Sequence, residues 1–136
     1  MQIDSKYRQD PRWPAIEAAL GSLRERHRRA VRIVDADCGA GGFLIAVAEQ
    51  ARAMGFTAIE GRGLGGSPAM IGRARAAARR HRNAAMGLVF ERGDTADALA
   101  EERDFPADIL VCHRCGTQMR AAATCVIGDP SEEMAA

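Results

Sequence analysis

The sequence predicts an α/β fold: a three-layer sandwich around a parallel sheet of about four strands in the order 3-2-1-4. Three observations predict it. Short apolar runs alternate with helical patterns along most of the chain, the arrangement that joins parallel strands by right-handed crossovers. The stretch Val31 to Ala48, VRIVDADCGAGGFLIAVA, reads as a buried strand, a tight glycine turn and a helix. The 136 residues, 47% of them apolar, suffice for a single domain with a core, and they contain no internal repeat or low-complexity linker.

The elements follow in order. Asp10-Pro11 reads as an N-cap and first-turn proline, and Trp13, Ile16, Ala19, Leu20 and Leu23 then recur at helical spacing to about His27. Val31 to Asp35 is the first strand. Gly42 to about Met54 is the first crossover helix, stopped by Gly55. Phe56 to Leu64 is a second strand, diluted by Gly61 and Gly63. Ser67-Pro68 starts a helix that runs through Met70, Ile71, Ala74 and Ala78 to about Arg82. Gly87 to Glu91 is a third strand, Asp94 to about Arg103 an acidic helix, and Ala107 to Cys112 a fourth strand. What remains after His113 accommodates one helix near Thr117 to Thr124 and a loose tail from Gly128. The domain thus divides into an N-terminal extension (1–12), an α/β core (13–115) and a C-terminal helix and tail (116–136).

A formal charge of +1 singles out no partner. The basic runs Arg24–Arg32 and Arg73–Arg82 read as solvated outer faces of helices, with His27 and His81 turned to solvent. No aromatic residues are interleaved to stack on bases, so a nucleic-acid partner is not expected. No apolar run approaches the roughly 20 residues needed to span a membrane. Four cysteines without a secretory pattern predict reduced thiols and a cytoplasmic location.

The chemistry concentrates in the glycine turn. A dinucleotide fingerprint requires G-x-G-x-x-G, and counting from Gly39 gives Gly39, Gly41 and then Leu44, so the third glycine is missing. The other spacing is an acid at the strand end followed by D-x-G-x-G-x-G. Asp35-Ala36-Asp37-Cys38-Gly39-Ala40-Gly41 fits it at the acid and at two of the three glycines. Here the chain resembles the class I S-adenosylmethionine-dependent methyltransferases. Gly65-Gly66-Ser67-Pro68-Ala69-Met70 is similar to the family's D-x-S-P-x-M step. Phe90-Glu91-Arg92-Gly93-Asp94 is similar to its third-strand ending, and Ala107–Cys112 to its fourth strand. These motifs stand in the family's order from Trp13 to His113.

The resemblance implies a Rossmann-like sheet, truncated relative to the seven-stranded methyltransferase fold, with S-adenosylmethionine as cofactor. Asp35 would order the turn near the methionine amino group. Cys38, Gly39, Ala40 and Gly41 would lie against the methionine and ribose portions, and Gly65, Gly66, Ser67 and Met70 would follow at the second strand. Gly93, Asp94 and Thr95 would flank the adenine, with Asp94 accepting from its amino group. Cys112 would sit beside the amino-acid moiety or the sulfur, and His113 is the one histidine placed to act as a general base.

Two positions depart from the family. Asp37 stands where the first glycine belongs; its carboxylate would repel the methionine carboxylate or pair with the α-ammonium. Gly65 stands where an acid holds the ribose hydroxyls, a loss worth about 1.5–3 kcal/mol, roughly tenfold to a hundredfold in affinity.

Three functions are open at this point. The first is methyl transfer to an unidentified acceptor, most readily a small molecule. No Asp/Asn-Pro-Pro-Tyr/Phe motif follows the fourth strand, where the chain reads Val111-Cys112-His113-Arg114, which argues against methylation of exocyclic base nitrogens. The second is a catalytically degenerate binding or assembly module. The third is a metal or thiol redox protein using Cys38, Cys112 and Cys115, with Cys125 in reserve. A sheet of four strands would leave the outer edge of the fourth exposed. Either the tail after Gly116 covers that edge, or a second copy or another partner does.

Overall fold

The computed structural model describes residues 5–130. The elements are α1 (Ser5–Arg8), α2 (Trp13–Glu25), β1 (Ala30–Asp35), α3 (Gly42–Ala53), β2 (Ala58–Gly65), α4 (Pro68–Arg80), β3 (Met86–Arg92), α5 (Thr95–Glu102), β4 (Ala107–Val111), α6 (Thr117–Arg120) and β5 (Ala123–Ile127). The strands form one parallel sheet in the order β3-β2-β1-β4-β5. The predicted order 3-2-1-4 is present, and a fifth strand extends it.

That fifth strand corrects the expected helix over 117–124. The helix stops at Arg120, where the chain turns with the Ala122 N–H donating to the Met119 carbonyl at 3.0 Å. Thr124, Val126 and Ile127 are β-branched and pack more readily on a pleated surface than in a helix. β5 pairs with β4 from Ala107↔Ala123 to Val111↔Ile127, so the outer edge of the fourth strand is covered by the chain after Gly116, the first of the two expected outcomes. Of the expected loose tail, Gly128–Pro130 are described and tied to the sheet end; 131–136 lie outside the described residues, as do 1–4 of the N-terminal extension.

Alternation along each strand sends side chains to two separate cores. Val31 and Ile33 of β1, with Ile109 and Val111 of β4, pack under α2, α3 and α4. Val34, Leu64, Leu110 and Cys112 pack on the opposite face, under Ala98 and Leu99 of α5 and Ala122. Helix boundaries follow local chemistry. Ser67 caps α4, accepting the Met70 N–H at 3.3 Å. Ser67→Ala is expected to lower stability by about 1 kcal/mol in urea denaturation. Asp10, by contrast, is not the α2 cap. Its carboxylate accepts from the Arg12 backbone N–H and guanidinium at 2.9–3.0 Å, and the helix begins at Trp13.

The basic run Arg24–Arg32 is not one solvated face. Arg32 lies in β1 and binds the buried carboxylate of Glu102, which also receives Arg62 at 2.9 Å. Neither is His81 simply solvated: its Nδ1 lies 2.9 Å from Glu49. No helix among the described residues is long and apolar enough to cross a membrane.

Candidate functional site

The carboxyl ends of β1, β2 and β3 meet one another at the glycine turn. In open parallel sheets this edge, where strand order reverses, is where ligands bind. Asp35 ends β1, is 2% exposed, and accepts the Asp37 N–H at 3.1 Å. Burial, partly offset by that hydrogen bond and by the charge of Arg12, pushes the Asp35 carboxyl up to about 6. The turn then folds back on the sheet: the Cys38 N–H donates to the Leu64 carbonyl at 2.9 Å and the Gly41 N–H to the Cys38 carbonyl at 2.8 Å.

Two glycines of the turn are required by geometry. Gly39 has φ +51° and Gly41 φ +87°, in the left-handed region. A Cβ on Gly41 would stand 2.8 Å from that of Ala74 and 3.0 Å from Phe90, so the turn can seat against α4 and β3 only without a side chain there. At Gly39 a Cβ would meet nothing within 4 Å, and the same is true at Gly66 after β2 and Gly93 after β3. Among the described residues, the N–H groups of Gly39, Ala40, Gly42 and Phe43 find no acceptor. The floor of the edge is therefore open backbone at Gly39, Gly66 and Gly93, while Tyr7 covers Gly42 at the start of α3.

Asp37 and Asp94 are both exposed on this edge. Asp94 uses one oxygen to cap α5, accepting the Ala96 N–H at 2.8 Å, and Thr95 follows as the first residue of that helix. Met70 is 39% exposed beside Ser67 and Gly66. A shallow pocket of about 160 Å³ lies between Leu64, Gly93, Asp94 and Asp97. Roomier grooves lie elsewhere. One, of about 500 Å³, runs between α4 and the β3 edge, and another, of about 550 Å³, lies at the amino ends of β1 and β2. Neither is at the carboxyl ends of the strands.

No protein-family model matches the sequence, and no curated protein does. Solved structures match the backbone. A protein assigned as a class I S-adenosylmethionine-dependent methyltransferase from Listeria monocytogenes superposes at TM-score 0.57 with 21% identity, over 82% of this chain. The fold is that of the class I methyltransferases. A protein assigned as a caffeoyl-CoA O-methyltransferase from Staphylococcus aureus matches at TM-score 0.53 and 12% identity, over 85% of this chain. A Plasmodium falciparum protein assigned as a protein-L-isoaspartate O-methyltransferase, crystallised with S-adenosyl-L-homocysteine, matches at 0.53 and 11%, over 81%. The chain spans only 33%, 56% and 55% of these three structures, respectively.

Within this methyltransferase fold, the predicted residues of the turn, the β2 end and the β3 end gather on one edge, but the cysteines do not. The resemblance implies that Cys38 and Cys112 both lie beside the cofactor. They lie in opposite cores, because Cys38 follows the turn back under β2 while Cys112 continues the alternation of β4 to the other face. Burial, with the nearby Asp35 charge, pushes the Cys38 thiol up to about 11, so it stays protonated at neutral pH. Nor are all four thiols reduced. Cys112 and Cys115 form a disulfide, their Cα atoms 5.9 Å apart, because the C-x-x-C spacing turns the chain back at the end of β4. Among the described residues, no group of three His, Cys, Asp or Glu side chains is placed to hold a metal ion.

Four site residues escape a reading of motifs: Tyr7, Asp10, Arg12 and Asp129. Phe43, in the first turn of α3, receives Tyr7 and Trp13 edge-on and the Arg12 guanidinium at 4.2 Å. A Cβ on Gly42 would overlap the Tyr7 hydroxyl, so that glycine admits the N-terminal segment over the turn. Arg12 is 4% exposed, donates to the Cys112 carbonyl at 3.3 Å and stands 3.8 Å from Asp129. Asp129 accepts the Nδ1 of His113 at 3.1 Å. The available signal was the Asp10-Pro11-Arg12 cluster, which local rules assign to a helix cap.

Proposed function

We propose that the chain binds S-adenosylmethionine along the carboxyl ends of β1, β2 and β3 and transfers its methyl group to an acceptor, most readily a small molecule. The open glycine-lined floor with unclaimed N–H donors carries this reading, since it can take a polar ligand against bare backbone. When bound, the sulfonium supplies an already activated methyl group, so the protein has to position and exclude water more than activate.

Each residue then has a task. Asp35 orders the turn through the Asp37 N–H and keeps an acid beneath the methionine end. Asp37 is exposed on that end, free to meet an α-ammonium. Asp94 has a second carboxylate oxygen for an adenine amino group, and the exposed Met70 offers an apolar face to the ring. His113, with Nδ1 held by Asp129, is left with Nε2 to accept a proton from an acceptor. The ribose is the poorly served portion. Gly65 has no side chain to hold the ribose hydroxyls, and a Cβ there would stand 3.2 Å from Ile71 and 3.6 Å from the Cys38 sulfur. This favours, as a second reading, a binding module that retains the fold without transfer. A cytoplasmic location goes with either.

The test is thermal denaturation with S-adenosylhomocysteine titrated into the millimolar range. Ligand at 100 times its Kd should add about 2.7 kcal/mol. No stabilisation at any concentration would overturn the reading.

A further inference from the structure

The Cys112–Cys115 disulfide has no task in methyl transfer, yet it fastens the loop that carries His113. We propose that this pair is a reversible dithiol–disulfide site, opened by a low-molecular-weight thiol, and that its redox state sets the geometry of the candidate site. The consequence for ligand binding rests on the methyltransferase reading; the redox site and its effect on His113 do not.

Position decides how the bond would be attacked. Cys112 is 2% exposed, its N–H donates to the Ile127 carbonyl at 3.0 Å, and its sulfur lies 3.6 Å from that same oxygen. Cys115 is only half-buried and sits on the outer turn of the loop. An incoming thiolate therefore attacks the Cys115 sulfur and displaces the Cys112 thiolate. A second thiol then attacks the outer sulfur of that mixed disulfide and releases Cys115. Two small thiols are oxidised to their disulfide, two electrons enter the Cys112–Cys115 bond, and two protons end on its sulfurs. The other two cysteines are poorly suited to compete. Cys38 is buried in the opposite core, and burial raises the Cys125 thiol above its ordinary range. Disulfides in reducing compartments are usually transient, catalytic or redox-sensing, which suits a pair at this place.

Opening the bond has a defined mechanical effect. Two thiols stand farther apart than two bonded sulfurs, and neither cysteine has room on its inner side. Cys112 is pinned to β5, and the Cys115 sulfur already sits against Gly128, where a Cβ would stand only 2.8 Å from it. The loop 113–115 must move outward instead. It carries His113, whose carbonyl receives the Asp129 N–H at 3.4 Å and whose ring binds the Asp129 carboxylate. Asp129 in turn faces Arg12, whose charge acts on Asp35. One bond thus reaches the β1 end through three side chains.

The experiment equilibrates the full chain in reduced/oxidised glutathione buffers, alkylates free thiols and reads them by mass spectrometry. In parallel, the His113 ring signals are recorded by NMR and S-adenosylhomocysteine affinity by calorimetry. The expected result is one two-electron transition confined to Cys112 and Cys115, retained in a C38S/C125S variant and lost in C115S. The His113 signals should shift between the two states, with affinity changing about tenfold. Failure of the pair to re-form its bond in oxidising buffer would overturn the site. Identical His113 signals in both states would overturn the coupling. Absence of ligand binding in both states would count against the methyltransferase reading alone, with the His113 signals still deciding the inference. Should C115S fail to fold, Cys115→Ala serves in its place.

Discussion

Glu102→Ala is expected to cost the fold about 3 kcal/mol, because it removes one side of a buried ion network and leaves the other side in place. The Glu102 carboxylate is 1% exposed and receives both Arg32 and Arg62, while those arginines also hold the more exposed Glu60, Glu91 and Glu101. Burial alone would raise the Glu102 pKa, but the hydrogen bonds from Arg32 and Arg62 outweigh it and the net shift is downward. The sign of the pH dependence follows. A carboxylate with a lowered folded pKa stabilises the protein above its unfolded pKa, and that contribution is lost as pH falls through the folded value. Wild type and variant should therefore differ most at neutral pH and converge in strong acid. Urea denaturation at the two extremes measures this. A variant as stable as wild type at neutral pH would show that the network contributes nothing.

Asp35→Asn should do the opposite to stability. Asp35 is buried with its pKa raised to about 6, so its charged form is the disfavoured one in the folded state. The stability tied to its protonation is fully present below the unfolded aspartate pKa and is lost as pH rises through about 6. Asparagine still accepts the Asp37 N–H and carries no charge to desolvate. The variant should match wild type in acid and exceed it above that range by about 3 kcal/mol, because the shift to about 6 already includes the attraction to Arg12. Affinity for S-adenosylhomocysteine should fall at least tenfold in the same variant. A variant less stable than wild type at neutral pH would mean that Asp35 is retained for the fold and not for a ligand. Such a trade of stability for function is common at binding sites.

The sequence carried the sheet's inner order and the turn because both depend on local signals. β-branched runs mark the strands, Ser67-Pro68 starts α4, and Gly41 must be glycine where the turn meets Ala74. The expected helix over 117–124 takes in the first two residues of β5, because Met119 to Cys125 shows no strict alternation. The strand's stability comes from pairing with β4, which no local window contains. The wall formed by Tyr7, Arg12 and Asp129 was missed for the same reason. Asp10 and Arg12 are close in sequence, but Cys112 and Asp129 lie a hundred or more positions beyond Arg12 and meet it only in the folded chain. The cysteine error was one of parity: alternation along β4 sends Cys112 to the face opposite Cys38.

Amide chemical-shift mapping during titration with S-adenosylhomocysteine tests the central claim most directly. Saturable shifts should cluster at Gly39 to Phe43, Gly66 and Gly93–Asp94. Shifts confined to the α4–β3 groove around Arg79 and Arg82, or no shifts at millimolar ligand, would contradict a cofactor site at the carboxyl edge of this sheet.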